Sequence, residues 1–118
     1  MKNPELYHAL NNFTGTEQWH RHGLVRSFLY TDGVAFFAEN AGGGAYWLLD
    51  ILATEVLPLQ KQYPFIAVEF AVGDTNVITA TDGDENIIYS RTIDYTDCPH
   101  GLWKFYLIDN ILLLPSEY

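Results

Sequence analysis

A single cysteine, Cys98, rules out any disulfide within the chain and removes one reason to expect an oxidising compartment. Basic residues are also scarce. Six Lys and Arg stand against 15 carboxylates, for a formal net charge of −9. That shortage works against direct binding of nucleic acid or of an acidic membrane, both of which need cationic side chains on phosphates. No unbroken apolar run is long enough to span a bilayer, because Asp50, Thr54 and Glu55 interrupt the best candidate. The opening Met1-Lys2-Asn3-Pro4-Glu5 passes straight into polar sequence instead of a signal peptide. A cytoplasmic protein is the expectation.

What the chain does have is apolar substance. Its 118 residues are 48% hydrophobic and 15% aromatic, enough for one folded core and too much for a disordered chain. The expectation is a single α+β domain over residues 1–118. Its centre is one long helix that opens at Gly42-Gly43-Gly44 and ends near Pro58. Between 45 and 57 only Asp50, Thr54 and Glu55 are polar, and their spacing gathers them on one stripe, so most of the helix surface needs cover. Burial of Leu48, Leu49, Ile51, Leu52, Val56 and Leu57 contributes roughly 1.5–3 kcal/mol each.

Pro4 to about Asn12 reads as a short first helix with Leu6, Leu10 and Phe13 on one face. Thr14 and Glu17 have capping-box spacing for a second short turn through Trp19. Leu24–Tyr30 and Val34–Ala38, joined by Asp32-Gly33, read as a β-hairpin. After Pro64 come strands at Phe65–Val72, Asn76–Thr81, Ile87–Tyr95, Leu102–Ile108 and Ile111–Leu114, separated by turn residues. Short connections make neighbouring strands antiparallel. The expected architecture is an antiparallel sheet of about five to seven strands, with the long helix packed on one face and short N-terminal helices beside it.

Four blocks carry a resemblance: Phe13-Thr14-Gly15-Thr16-Glu17-Gln18-Trp19, Leu29-Tyr30-Thr31-Asp32-Gly33-Val34, Ala45-Tyr46-Trp47-Leu48-Leu49-Asp50 and Leu114-Pro115-Ser116-Glu117-Tyr118. In them the chain resembles a family of small, uncharacterised bacterial proteins classed as a domain of unknown function and common on plasmids and other mobile elements. The resemblance spans nearly the whole chain. It implies a bacterial accessory protein and brings no activity, ligand or catalytic residue with it.

Candidate chemistry is thin. Trp19, His20, Arg21, His22 and Arg26 form the one basic concentration, suited to a phosphate or carboxylate through a forked Arg contact and a stacking indole. The plainer alternative is a solvated strand entry. His20, His22, Cys98 and His100 supply the ligand types of a zinc site but lack knuckle spacing, and no metal or cofactor is expected. Gly42-Gly43-Gly44 has no Lys-Ser/Thr after it and reads as a hinge or a close backbone contact, not a phosphate cradle. Asp82, Asp84 and Glu85 lack the twelve-residue spacing of a Ca²⁺ loop and read as a solvated turn. No catalytic constellation stands out, so the leaning is away from an enzyme.

The leading function is therefore a non-enzymatic interaction protein using its aromatic residues at a protein interface. A small-ligand or nucleotide-binding protein using the Trp19–Arg26 patch is the first alternative. An acidic decoy that blocks a nucleic-acid-binding defence protein is the second. Large apolar side chains on both faces of the last strands further suggest a homodimer, through the outer sheet face or the edge of the final strand.

Overall fold

A computed structural model describes residues 3–15 and 18–118. The chain runs α1 (Asn3–Leu10), β1 (His20–Arg21), β2 (Leu29–Tyr30), α2 (Asp32–Asn40) and α3 (Tyr46–Ile51). The strands β3 (Phe65–Val72), β4 (Asn76–Thr81), β5 (Ile87–Ile93), β6 (Gly101–Ile108) and β7 (Ile111–Leu113) follow, and a short 3₁₀ turn at Pro115–Glu117 closes the chain. The seven strands make one sheet in the order β1-β2-β7-β6-β3-β4-β5. The α+β architecture is as the sequence indicated.

The central pair is β3–β6. Their register aligns Phe70 with Trp103, Val68 with Phe105 and Ile66 with Leu107, all buried on one face. These large side chains explain why the chain crosses back after the β3-β4-β5 meander. β5 presents Tyr89 and Arg91 on that face, a poorer partner than β3 for the most apolar strand of the protein. The helices cover the same face: Phe37 of α2 meets Trp103 and Phe105, Trp47 of α3 meets Phe70, and Tyr7 of α1 stacks on Trp103 at 4.5 Å.

The long helix lies where its pattern placed it. It continues past Ile51 through a π turn at Leu52–Val56 and a 3₁₀ turn at Leu57–Lys61. Pro58 supplies the reason. It has no N–H to donate, and its ring crowds the carbonyl four residues back, so the ladder widens until the Leu57 N–H reaches the Leu52 carbonyl. Leu48, Leu49, Leu52, Ala53, Val56 and Leu57 are buried, whereas Asp50, Thr54 and Glu55 are exposed on the polar stripe. Among the described residues no helix is long and apolar enough to cross a membrane.

Three expectations need correction. Asp32-Gly33 does not turn a hairpin; it opens α2. The Thr31 hydroxyl accepts a hydrogen bond from the Val34 N–H as the helix cap, and Val34, Phe37, Ala38 and Ala41 are buried at helical spacing. Gly33 serves close approach, since a Cβ there would lie 2.6 Å from Leu114 Cδ1. The hairpin that does form joins β1 to β2 through residues 22–28, with His20 opposite Tyr30.

Secondly, the sheet is mixed: β2 runs parallel to β7, and most of the chain serves as the crossover between them. Thirdly, the final strand offers no edge, because β7 lies between β2 and β6. The capping box at Thr14 and Glu17, with its short turn, falls partly outside the described residues.

Leu49, 1% exposed, tests the central helix. Leu49→Asp should cost more than about 4 kcal/mol by placing an unpartnered carboxylate in the core. The expected result is loss of the cooperative thermal transition; near-wild-type melting would show that this face of the helix is not core.

Candidate functional site

The strand entry that carries the basic patch is built around two histidines and their carboxylates. His20 Nε2 lies 2.9 Å from Asp32 Oδ1, and its ring stacks on Tyr30. His22 is buried, with Nε2 2.7 Å from Asp50 Oδ1 on the long helix. Its Nδ1 accepts hydrogen bonds from the backbone N–H groups of Val25 at 2.9 Å and Leu24 at 3.2 Å. Those amides can only donate, so in the neutral ring the proton sits on Nε2 and is given to Asp50. His22 thereby ties the 22–28 loop to α3.

Arg21 points the other way, and its Nη1 donates to the Arg26 carbonyl at 2.5 Å. Trp19 and Arg26 are exposed. The five residues thus share a neighbourhood, but two of them are held by carboxylates and a third by its own loop.

The glycine loop before α3 is a docking point for the 94–100 segment. Asp97 Oδ2 accepts a hydrogen bond from the Gly43 N–H at 2.7 Å. Gly42 has φ +59°, and a Cβ on it would lie 2.6 Å from Asp97 Oδ1. The glycines serve close backbone packing, with an internal carboxylate where a phosphate cradle would place its anion.

Cys98 is buried beside this contact, whereas His100 is exposed. Burial pushes the Cys98 thiol above its ordinary range; a side-chain hydrogen bond with Thr96 opposes this, and the Asp97 charge adds to it. Among the described residues no three His, Cys, Asp or Glu side chains converge to hold a metal ion.

In the 82–86 turn, Asp82 accepts from the Asp84 and Asn86 N–H groups and from the Asn86 side chain. Those bonds, the Asn86 side chain first, hold its carboxyl below the usual range. Its oxygens close the turn.

Two surfaces escaped the sequence reading in whole or in part. The first is a groove of about 390 Å³ between α1, β6 and the C-terminal turn, lined by Tyr7, Leu10, Phe37, Trp103, Phe105 and Leu114 among others. It exists because β7 pairs only with the last three residues of β6. The Tyr7 hydroxyl takes over at the bared edge, accepting from the Leu102 N–H and donating to its carbonyl. Residues so far apart in sequence leave no local motif to find.

The second is the outer face of the sheet, opposite the helices. It carries Phe65, Ala67, Glu69 and Ala71 of β3, Leu102, Lys104, Tyr106 and Ile108 of β6, and Val77, Thr79 and Thr81 of β4. Tyr118 folds onto it against Tyr106 and Phe65, at ring distances of 5.4 and 6.1 Å. Glu69 and Lys104, opposite one another in the register, are the only charges among these residues. In a chain of net charge −9 this face is nearly neutral.

A mixed seven-stranded sheet with helices on one face and a largely apolar outer face defines a small α+β protein. Residues 4–118 match the model of a family of unknown function, DUF6876, and the chain belongs to that family. No curated protein and no solved structure matches it.

Two outcomes are expected here. His22→Ala frees the 22–28 loop and should lower stability by about 2 kcal/mol, read as a reduced urea midpoint with unchanged slope. Because its pKa is raised, Cys98 should resist thiol reagents at neutral pH in the native protein and react at once when urea unfolds it. Rapid native labelling would contradict the buried placement.

Proposed function

We propose that the protein is a non-enzymatic accessory factor that works by holding a partner protein on the outer face of its sheet. The observation that carries this reading is that face: apolar and aromatic, bare of helices, and nearly uncharged in an acidic chain. Interface centres are depleted of charge in the same way. The fitting partner presents an apolar patch rimmed by Lys and Arg, drawn by the surrounding negative charge. A bacterial, mobile-element setting is part of the proposal and rests on the resemblance of the four sequence blocks. A cytoplasmic location rests on the lone, buried cysteine.

The alternatives have less behind them. A small-anion site at Trp19–Arg26 competes with Asp32 and Asp50 for its histidines. An acidic decoy draws on charge, yet Asp32, Asp50, Glu55, Asp97 and Glu117 are each engaged with groups of the protein itself.

A photo-reactive phenylalanine analogue at Thr79, mid-face, tests the proposal against the same group at Leu24, which is 89% exposed in the 22–28 loop. Irradiation in native host cells should give one discrete protein adduct from Thr79 and none from Leu24. Its partner should be a basic-rimmed protein whose binding weakens with salt. Equal adducts from both positions, or none from Thr79, would remove the outer face from consideration.

A further inference from the structure

The sheet has one long open edge, interrupted by a β-bulge where the pairing with β4 shifts register between Tyr89 and Ile87. β5 closes the sheet on the side away from β1, and its seven residues, Ile-Ile-Tyr-Ser-Arg-Thr-Ile, include no proline, glycine or lysine. Ile87 is 67% exposed, and Ser90 and Thr92 are exposed as well. The opposite edge, β1, is only two residues long.

The register shows which way the backbone of β5 faces. Because Tyr7 takes both backbone groups of Leu102, those groups point away from β3. Leu102 is paired with Ala71, Ala71 with Val77 and Val77 with Thr92. Antiparallel partners either both face each other or both face away, so the alternation ends with the N–H and C=O of Thr92 turned outward. Ser90, two residues back, turns outward with it.

We propose that β5 pairs antiparallel with β5 of a second copy of the chain, about a two-fold axis at Ser90. Ser90 then exchanges both backbone hydrogen bonds with the partner's Ser90. Arg91 faces the partner's Tyr89, and Thr92 faces the partner's Ile88. The contact is isologous, as a closed dimer requires.

Two features favour a second copy here: the outward-facing backbone at Ser90 is self-complementary about a two-fold, and the seam carries no unpaired side-chain charge. Arg91, the one ionised residue of β5, is paired with Glu55, whose carboxylate also accepts from the Tyr89 hydroxyl at 2.8 Å. Two such neutralised groups meet at the seam, while most of the surface of a −9 chain repels its copy. Only the ends oppose pairing, where Glu85 approaches the partner's Asp94. Salt screens that repulsion and tightens the dimer, the reverse of its effect on a basic-rimmed partner. The pairing joins two sheets into one and doubles the outer face.

Sedimentation equilibrium of the full chain at micromolar concentration provides the test. The expected mass is twice the 13.4 kDa of one chain, with the dimer fraction rising with salt. Ser90→Pro deletes an outward N–H that β4 does not use, and should return the single-chain mass with the thermal transition retained. Since proline can also bend the strand, Ser90→Cys is the second variant. Mild oxidation should give a covalent dimer from it and none from Thr79→Cys. A single-chain mass for the wild type at low and high salt would overturn the proposal. So would a dimer that cross-links through Thr79→Cys and not through Ser90→Cys, since that places the contact on the outer face.

Discussion

Phe70 beside Trp103, in the middle of the β3–β6 pair, is the contact from which the rest of the domain is hung. The two strands pair over their full eight residues, and their inward side chains form the floor on which all three helices rest. Phe37, Trp47 and Tyr7, one from each helix, reach that floor within two rings of each other. A core closed this way needs cover on one side only. The outer face is left over, without helix cover and nearly neutral.

Carboxylates hold the loops onto this floor. Glu117, next to the last residue, accepts from the Thr31 hydroxyl and from the N–H groups of Gly33 and Leu114, binding the tail to the start of α2. Asp97 binds the 94–100 loop to the glycines, Asp50 binds the 22–28 loop through His22, and Glu55 binds β5 to the long helix. Each places an anion against N–H or cationic groups that would otherwise need water or a side-chain cap. Part of the acidity of the chain is thus structural.

The residues of the local motifs find partners within the protein for the same reason. His20, His22 and Arg21 look like an anion site in one dimension because their partners, Asp32, Asp50 and the Arg26 carbonyl, sit elsewhere in the sequence or are backbone atoms. The Asp82 cluster closes its own turn, and the glycine triplet receives Asp97. The outer face and the open β5 edge, by contrast, are products of strand order.

The sequence alone determined the elements whose periodicity is long and unambiguous. The apolar circumference and polar stripe of the long helix, the alternation of β3 and the turns of the meander are local properties, and they held. It also carried the helical spacing of Val34, Phe37, Ala38 and Ala41, but Asp32-Gly33 suits a hairpin or a helix start equally well. Only tertiary contact chose between them, when Leu114 and Glu117 closed on Gly33. Tertiary structure likewise decided that β6 returns to β3, that β2 runs parallel to β7, and that β5 is left as the open edge. Strand pairing is settled by which large side chains share a face across distant segments, and that is a property of pairs of segments, which no single stretch of sequence contains.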